Sequence, residues 1–216
     1  MAQVPNDTRF IGINPTVNLR ERRSARINRE TQPVSMQDIT DSIRPYKVFT
    51  ALLTQSGGSS TVNATSGLLI VGVSYNIDTY NAGDDFSNVG GPAAGLPGEW
   101  DGYSFLATGT TPNNWNNSSL LIYDEGAPTA IVLENTIGNI WFTYDTVGSY
   151  HVISDGLFIA DKTTCITSQS AYEDTGVTFI YRDTESLIFI ETQAFFTPGA
   201  ANDILAGTML EIRVYN

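Results

Sequence analysis

The 216-residue sequence contains one cysteine, Cys165, and one histidine, His151. A lone cysteine excludes an intrachain disulfide, and with a single histidine the usual Cys/His zinc sites cannot be assembled from one chain. Stability must therefore come from packing or from assembly. Long apolar runs are also missing. The longest aliphatic stretch, GLLIVGV at 67–73, is far short of the roughly 20 residues that a membrane span needs, and the opening MAQVPNDTRF has no apolar signal-peptide core. These absences predict a soluble protein made in a cytoplasm. Charged residues are scarce at 16%, against roughly 25% in typical globular domains, while a 41% hydrophobic content is enough for an ordered core.

The charge that is present is unevenly placed. Residues 1 to 46 hold seven arginines (Arg9, Arg20, Arg22, Arg23, Arg26, Arg29 and Arg44) against five acids, a net +2. Residues 47 to 216 hold four basic residues (Lys47, Lys162, Arg182, Arg213) against the other eighteen acids, a net −14. An arginine-rich arm thus precedes a strongly acidic body, an asymmetry typical of an interaction tail. Within the arm, Ser35 is placed to cap one short helix carrying Met36, Ile39 and Ile43, which Pro45 ends. The preceding RFIGINPTV is apolar without helical periodicity and reads as an extended segment.

From Tyr46 onward the texture is one of short β-branched and aromatic runs separated by Gly, Asn, Asp and Pro clusters. KVFTALLT, LLIVGVSY, YSFLAT, SLLIY, AIVLE, IWFTY, YHVI, GLFIA, VTFIYR, SLIFIETQAFF and MLEIRVYN read as strands. The expected fold is mainly β: an extended N-terminal arm with one short helix (residues 1–45), then an all-β body of short antiparallel strands (46–216). The C-terminal strand is expected to be paired into a sheet.

Three stretches carry a resemblance. RFIGINPTVNLRERRSARINRETQPVSMQDITDSI resembles the shared N-terminal segment of virion fibre proteins of crAss-like and other Bacteroidetes tailed phages. YKVFTALLTQSG, with APTAIVLENTIGNIWFTYDTVGSY and the ending EIRVYN, is similar to their bodies, in which the two halves run on from one another. VSYNIDTYNAGDDFSNVGG with YSFLATGTTPNNWNNSSLL is similar to a small β module inserted in many phage structural proteins, and it marks residues 58–126 as an insertion. The linker GGPAAGLPGEWDG is longer than that module needs. The resemblance implies a homotrimeric head fibre on the capsid surface, with a tail or baseplate fibre as the alternative. A carbohydrate-binding or carbohydrate-cleaving spike is the reading from another class. The arm's Arg9, Arg20, Arg22, Arg23, Arg26 and Arg29 would then pair with carboxylates of capsid or other virion proteins, which the planar guanidinium suits. The acidic body would project outward and meet host-surface glycan.

Residue chemistry is weighed on the same sequence. His151 has no G-x-S-x-G elbow to serve. The adjacent acids Asp84/Asp85, Asp124/Glu125 and Glu173/Asp174 would point to opposite faces of a strand, so they suit turns better than glycoside cleavage. DTYNAGDDF lacks the spacing of a calcium loop, and a body of net −14 would repel nucleic acid. The expectation is a non-enzymatic protein without metal, cofactor, nucleic-acid partner or membrane insertion. Among the tryptophans, Trp141 in IWFTY is expected inside the core, and Trp115 in TPNNWNNSS is the candidate for an exposed ligand contact.

Overall fold

The computed structural model describes residues 45–168, 176–194 and 200–216. The arm, with its expected short helix and its arginines, lies outside them, as do Glu173 and Asp174. The body, Tyr46–Asn216, is mainly β, with twelve strands in three antiparallel sheets and no α-helix among the described residues. In chain order the strands are β1 (Tyr46–Thr54), β2 (Thr61–Ala64), β3 (Ser74–Thr79), β4 (Ser104–Leu106), β5 (Leu120–Asp124) and β6 (Thr129–Asn135). They continue as β7 (Ile140–Thr146), β8 (Ser149–Ser154), β9 (Thr163–Thr167), β10 (Gly176–Arg182), β11 (Leu187–Ala194) and β12 (Ala206–Tyr215). No helix among the described residues is long and apolar enough to cross a membrane.

Two four-stranded sheets, β6-β1-β12-β9 and β7-β8-β11-β10, pack face to face as a sandwich. Period-two alternation decides which side chains fill it. Phe49, Ala51 and Leu53 of β1 and Leu210, Ile212 and Val214 of β12 point inward. They meet Ile140 and Phe142 of β7, Tyr150 and Val152 of β8, and Ile188 and Ile190 of β11. The rings of Phe49 and Phe142 lie 6.2 Å apart across the two layers. The last strand is paired throughout, from Tyr215 opposite Tyr46 to Ala206 opposite Thr54, with one irregularity near its start.

The third sheet, β2-β5-β3-β4, is built entirely from residues 61–124 and has its own core of Tyr75, Ile77, Tyr80, Phe86, Phe105, Trp115 and Leu121. Its two ends join neighbouring strands, because Thr54 of β1 pairs with Thr129 of β6. The module closes one side of the sandwich, where β6 and β7 are both edge strands. Ala130 N–H donates to Gly72 O at 2.9 Å, and Phe142 N–H donates to Ser74 Oγ at 2.8 Å. Leu106 of β4 reaches into the sandwich core. Exposed N–H groups that would invite a foreign strand are thereby satisfied internally.

Several strand expectations change. LLIVGVSY is a strand only from Ser74: residues 68–71 form an apolar loop in which Leu69 is buried and Leu68, Ile70 and Val71 are exposed. Gly72 is the cause, having a φ of +84° and so close an approach to Ala130 that a Cβ would lie 2.4 Å from its carbonyl oxygen. Such backbone admits only glycine and ends extended pairing. GLFIA is a turn that buries Phe158, whereas TVNA and TTCIT are strands that their polar composition concealed.

At the end of β1 the buried amide of Gln55 holds the junction together. Its Oε1 accepts from Tyr150 Oη and from Asp203 N–H, both at 2.8 Å. Its Nε2 donates to Gly57 O at 2.7 Å and Gly126 O at 3.2 Å, the two ends of the insertion. Burial raises the Tyr150 pKa well above its ordinary value, so the phenol is a fixed donor. Gln55→Ala is expected to cost about 2–4 kcal/mol, because several buried partners lose their satisfaction together; the urea midpoint measures it.

Cys165, on the inner side of β9, packs against the sandwich core. Burial pushes its thiol up to about 11, with the Arg182 charge acting in the opposite sense. At pH 8 its reaction with a disulfide reagent is expected to be roughly a hundredfold slower than that of free cysteine, because the thiolate is correspondingly rare. The rate should climb as pH rises toward 11. Stopped-flow absorbance with dithionitrobenzoate reads it.

Candidate ligand-binding cleft

The seam between module and sandwich contains a surface depression. One wall is β7. Ile140 and Phe142 are buried in the core, so Trp141 between them must point outward. The other wall is a tight turn at Gly98–Tyr103, closed by Asp101 N–H to Gly98 O at 3.3 Å and Tyr103 N–H to Trp100 O at 3.0 Å. Gly98 and Gly102 take φ of +73° and +81° there. Asp101 Oδ1 accepts from Tyr80 N–H at 2.6 Å, and Glu99 Oε2 accepts from Leu96 N–H at 2.7 Å. The long linker GGPAAGLPGEWDG therefore ends in a structured wall that presents Trp100 and Tyr103, their rings edge-to-face at 5.6 Å.

Between the walls lies a cleft of about 350 Å³, lined by Glu99, Trp100, Asp101, Tyr103, Trp141 and Asp155 together with Gly102 and Ser104. A second depression of about 150 Å³ adjoins it, sharing Trp141 and Ser104 and adding Asn76, Tyr123, Asp124 and Thr143. Asn139 Nδ2 donates to Ser104 O at 2.8 Å and ties the walls together. Burial, aided by the negative charge of Asp155, raises the pKa of Tyr103. The phenol therefore stays protonated as a hydrogen-bond donor. The Trp100 Nε1 is buried and has no hydrogen-bond partner.

The sequence-selected residues fall elsewhere. Trp115 is not a surface contact: it is 8% exposed, packs on Phe86 at 5.6 Å and donates its Nε1–H to Ser119 O at 2.8 Å. Its polar neighbours are a loop folded over the indole rather than a site around it. Trp141 corrects the opposite expectation, being half-exposed on the outer face of its sheet. The signal was present in sequence: Trp141 shares parity with Thr143 and Asp145, whereas Ile140, Phe142 and Tyr144 form the apolar set.

The carboxylates singled out earlier serve the backbone. Asp84 is fully buried and accepts from Asn117 N–H and Ser119 N–H, both at 2.9 Å. Asp85 accepts from Ser87 N–H and Ser87 Oγ–H, which hold its carboxyl below the usual range. Asp124 accepts from Ser59, Ser60 and Gly126 around a turn. His151 meets Phe189 edge-on at 4.7 Å, and its Nε2 lies 3.8 Å from Asp145, too far for a hydrogen bond. The arm arginines, Arg9 through Arg29, lie outside the described residues.

The chain matches no protein-family model, and comparison with curated proteins and with solved structures found no match. Function must therefore be argued from the body itself. The two tryptophans should separate cleanly in stability measurements. Trp115→Ala is expected to cost about 3–5 kcal/mol through the cavity it leaves in the module core. Trp141→Ala is expected to cost under about 1 kcal/mol, both read from urea denaturation.

Proposed function

We propose that the chain is a structural component of a bacteriophage virion: a capsid-attached head fibre, anchored by its N-terminal arm, with the acidic body projecting outward as a homotrimer. The observation that carries this reading is the way the arm joins the body. Tyr46 follows the arm directly and opens β1, which is paired along its length with β12 and over most of it with β6. The arm is thus continuous with a central strand held by two ladders and not with an edge strand. The charge division supports the same orientation, since the arm holds seven of the eleven basic residues and the body nets −14. The arm's resemblance to phage fibre attachment segments points the same way.

Self-association draws support from the outer face of the sheet β6-β1-β12-β9. Across three adjacent strands Ile131, Leu52 and Met209 stand in one row, with Leu133 and Ile166 beside them. Ile131 is 65% and Leu133 59% exposed. Two acids border this row, Glu134 opposite Thr50 and Glu211, which is paired with Arg213. Copies that repel one another elsewhere can meet there. A cyclic trimer would place this face in a head-to-tail contact that closes on itself.

In sedimentation equilibrium the wild-type protein is expected at three times its 23.5 kDa chain mass. Ile131→Glu with Met209→Glu is expected to yield a folded monomer. A wild-type monomer at micromolar concentration would remove the trimer. Full-length protein is expected to bind particles lacking the native fibre, with label on the head, and a version lacking residues 1–45 is expected not to bind. Equal binding by both would end the anchoring argument, and label on the tail would favour the tail-fibre reading.

A further inference from the structure

We infer that the cleft along the module–sandwich seam binds neutral, hydroxyl-rich carbohydrate, with Trp141 as the central stacking surface. The inference deepens the reading of the body as the outward-facing part of a fibre. A sugar ring has a flat C–H face and a rim of hydroxyls. It therefore needs an aromatic plane for one and fixed polar groups for the other, the usual division of labour in small-ligand sites. The cleft supplies both. Trp100, Tyr103 and Trp141 provide the planes, and Glu99, Asp101 and Asp155 provide acceptors for charge-assisted bonds from hydroxyls.

Two further features favour an oligosaccharide over a single ring. The depressions of about 350 and 150 Å³ share Trp141 and Ser104, so a ligand can continue past the indole from one to the other. The second also carries Asn76 and Asp124 on its lining, with Tyr75 and Tyr123 beside Trp141. The unpartnered Trp100 Nε1 in the first wall is the kind of buried polar exception that calls for an explanation.

Charge sets the specificity. Three carboxylates line the larger depression and no basic residue does, within a body that nets −14. Uronates, sialic acids and phosphorylated sugars would be repelled, and neutral or amino sugars admitted.

The test is a printed array of neutral, amino and acidic oligosaccharides probed with the full-length protein, followed by calorimetric titration of the strongest neutral binder. Neutral or amino sugars are expected to be retained and acidic ones not. Trp141→Ala should weaken binding at least about tenfold with at most a small drop in melting temperature, and Trp141→Phe should recover part of the loss. Asp155→Asn should relax the exclusion of acidic sugars. Retention of acidic sugars alone, binding unaffected by Trp141→Ala, or no retained sugar would overturn the inference. So would capture of an oligolysine peptide without any sugar, which would mark the cleft as a cationic-peptide site. Because the assay uses free protein, sugar binding together with failure to attach to particles would sink the fibre reading and leave the cleft standing.

Discussion

The buried amide of Gln55 is the constraint on which the architecture turns. It stands where β1 ends and the insertion begins, and it bonds at once to both ends of the insertion, to Tyr150 of the opposite sheet and to the Asp203 backbone. An amide has two donors and two acceptor sites, and here each finds a partner, so a polar group in the core costs little. An apolar residue of similar size would leave the Tyr150 hydroxyl and three backbone groups to find other partners. The network therefore fixes where the sandwich stops and the module starts.

The insertion in turn completes the sandwich. A two-sheet β protein of this size has open edges, and edges are a liability. Gly72 caps β6 and Ser74 caps β7, only two residues apart in sequence, because the chain there crosses from one layer to the other. Leu106 then plugs the gap between the sheets. The cleft follows from this arrangement: where two convex bodies are held by a few polar bonds, a groove remains along the seam. Its walls are rigid because the Gly98–Tyr103 turn is internally hydrogen-bonded and β7 is a paired strand.

The surface divides along the same lines. The outer face of β6-β1-β12-β9 carries an apolar row of Ile131, Leu52 and Met209, and the seam is aromatic and acidic. Under the proposed reading the row serves association and the groove ligand contact, while the body's net negative charge keeps copies otherwise apart.

The sequence by itself determined the mainly β class, most strand positions and the paired C-terminal strand, because alternation and turn chemistry are local properties of the chain. It also revealed the separation of charge between arm and body. Only the tertiary structure decided the rest. The apolar run at 68–71 is a loop because Gly72 must approach Ala130, a contact between residues far apart in sequence. TTCIT became a strand through the partner it found in β12. Trp115 and Trp141 exchanged their expected roles because a polar loop folds over one, and strand parity, set by the core, turns the other outward. The cleft joins Glu99 and Trp100 of the module to Trp141 and Asp155 of the sandwich. No local pattern announces it, since its chemistry exists only once the two bodies have docked.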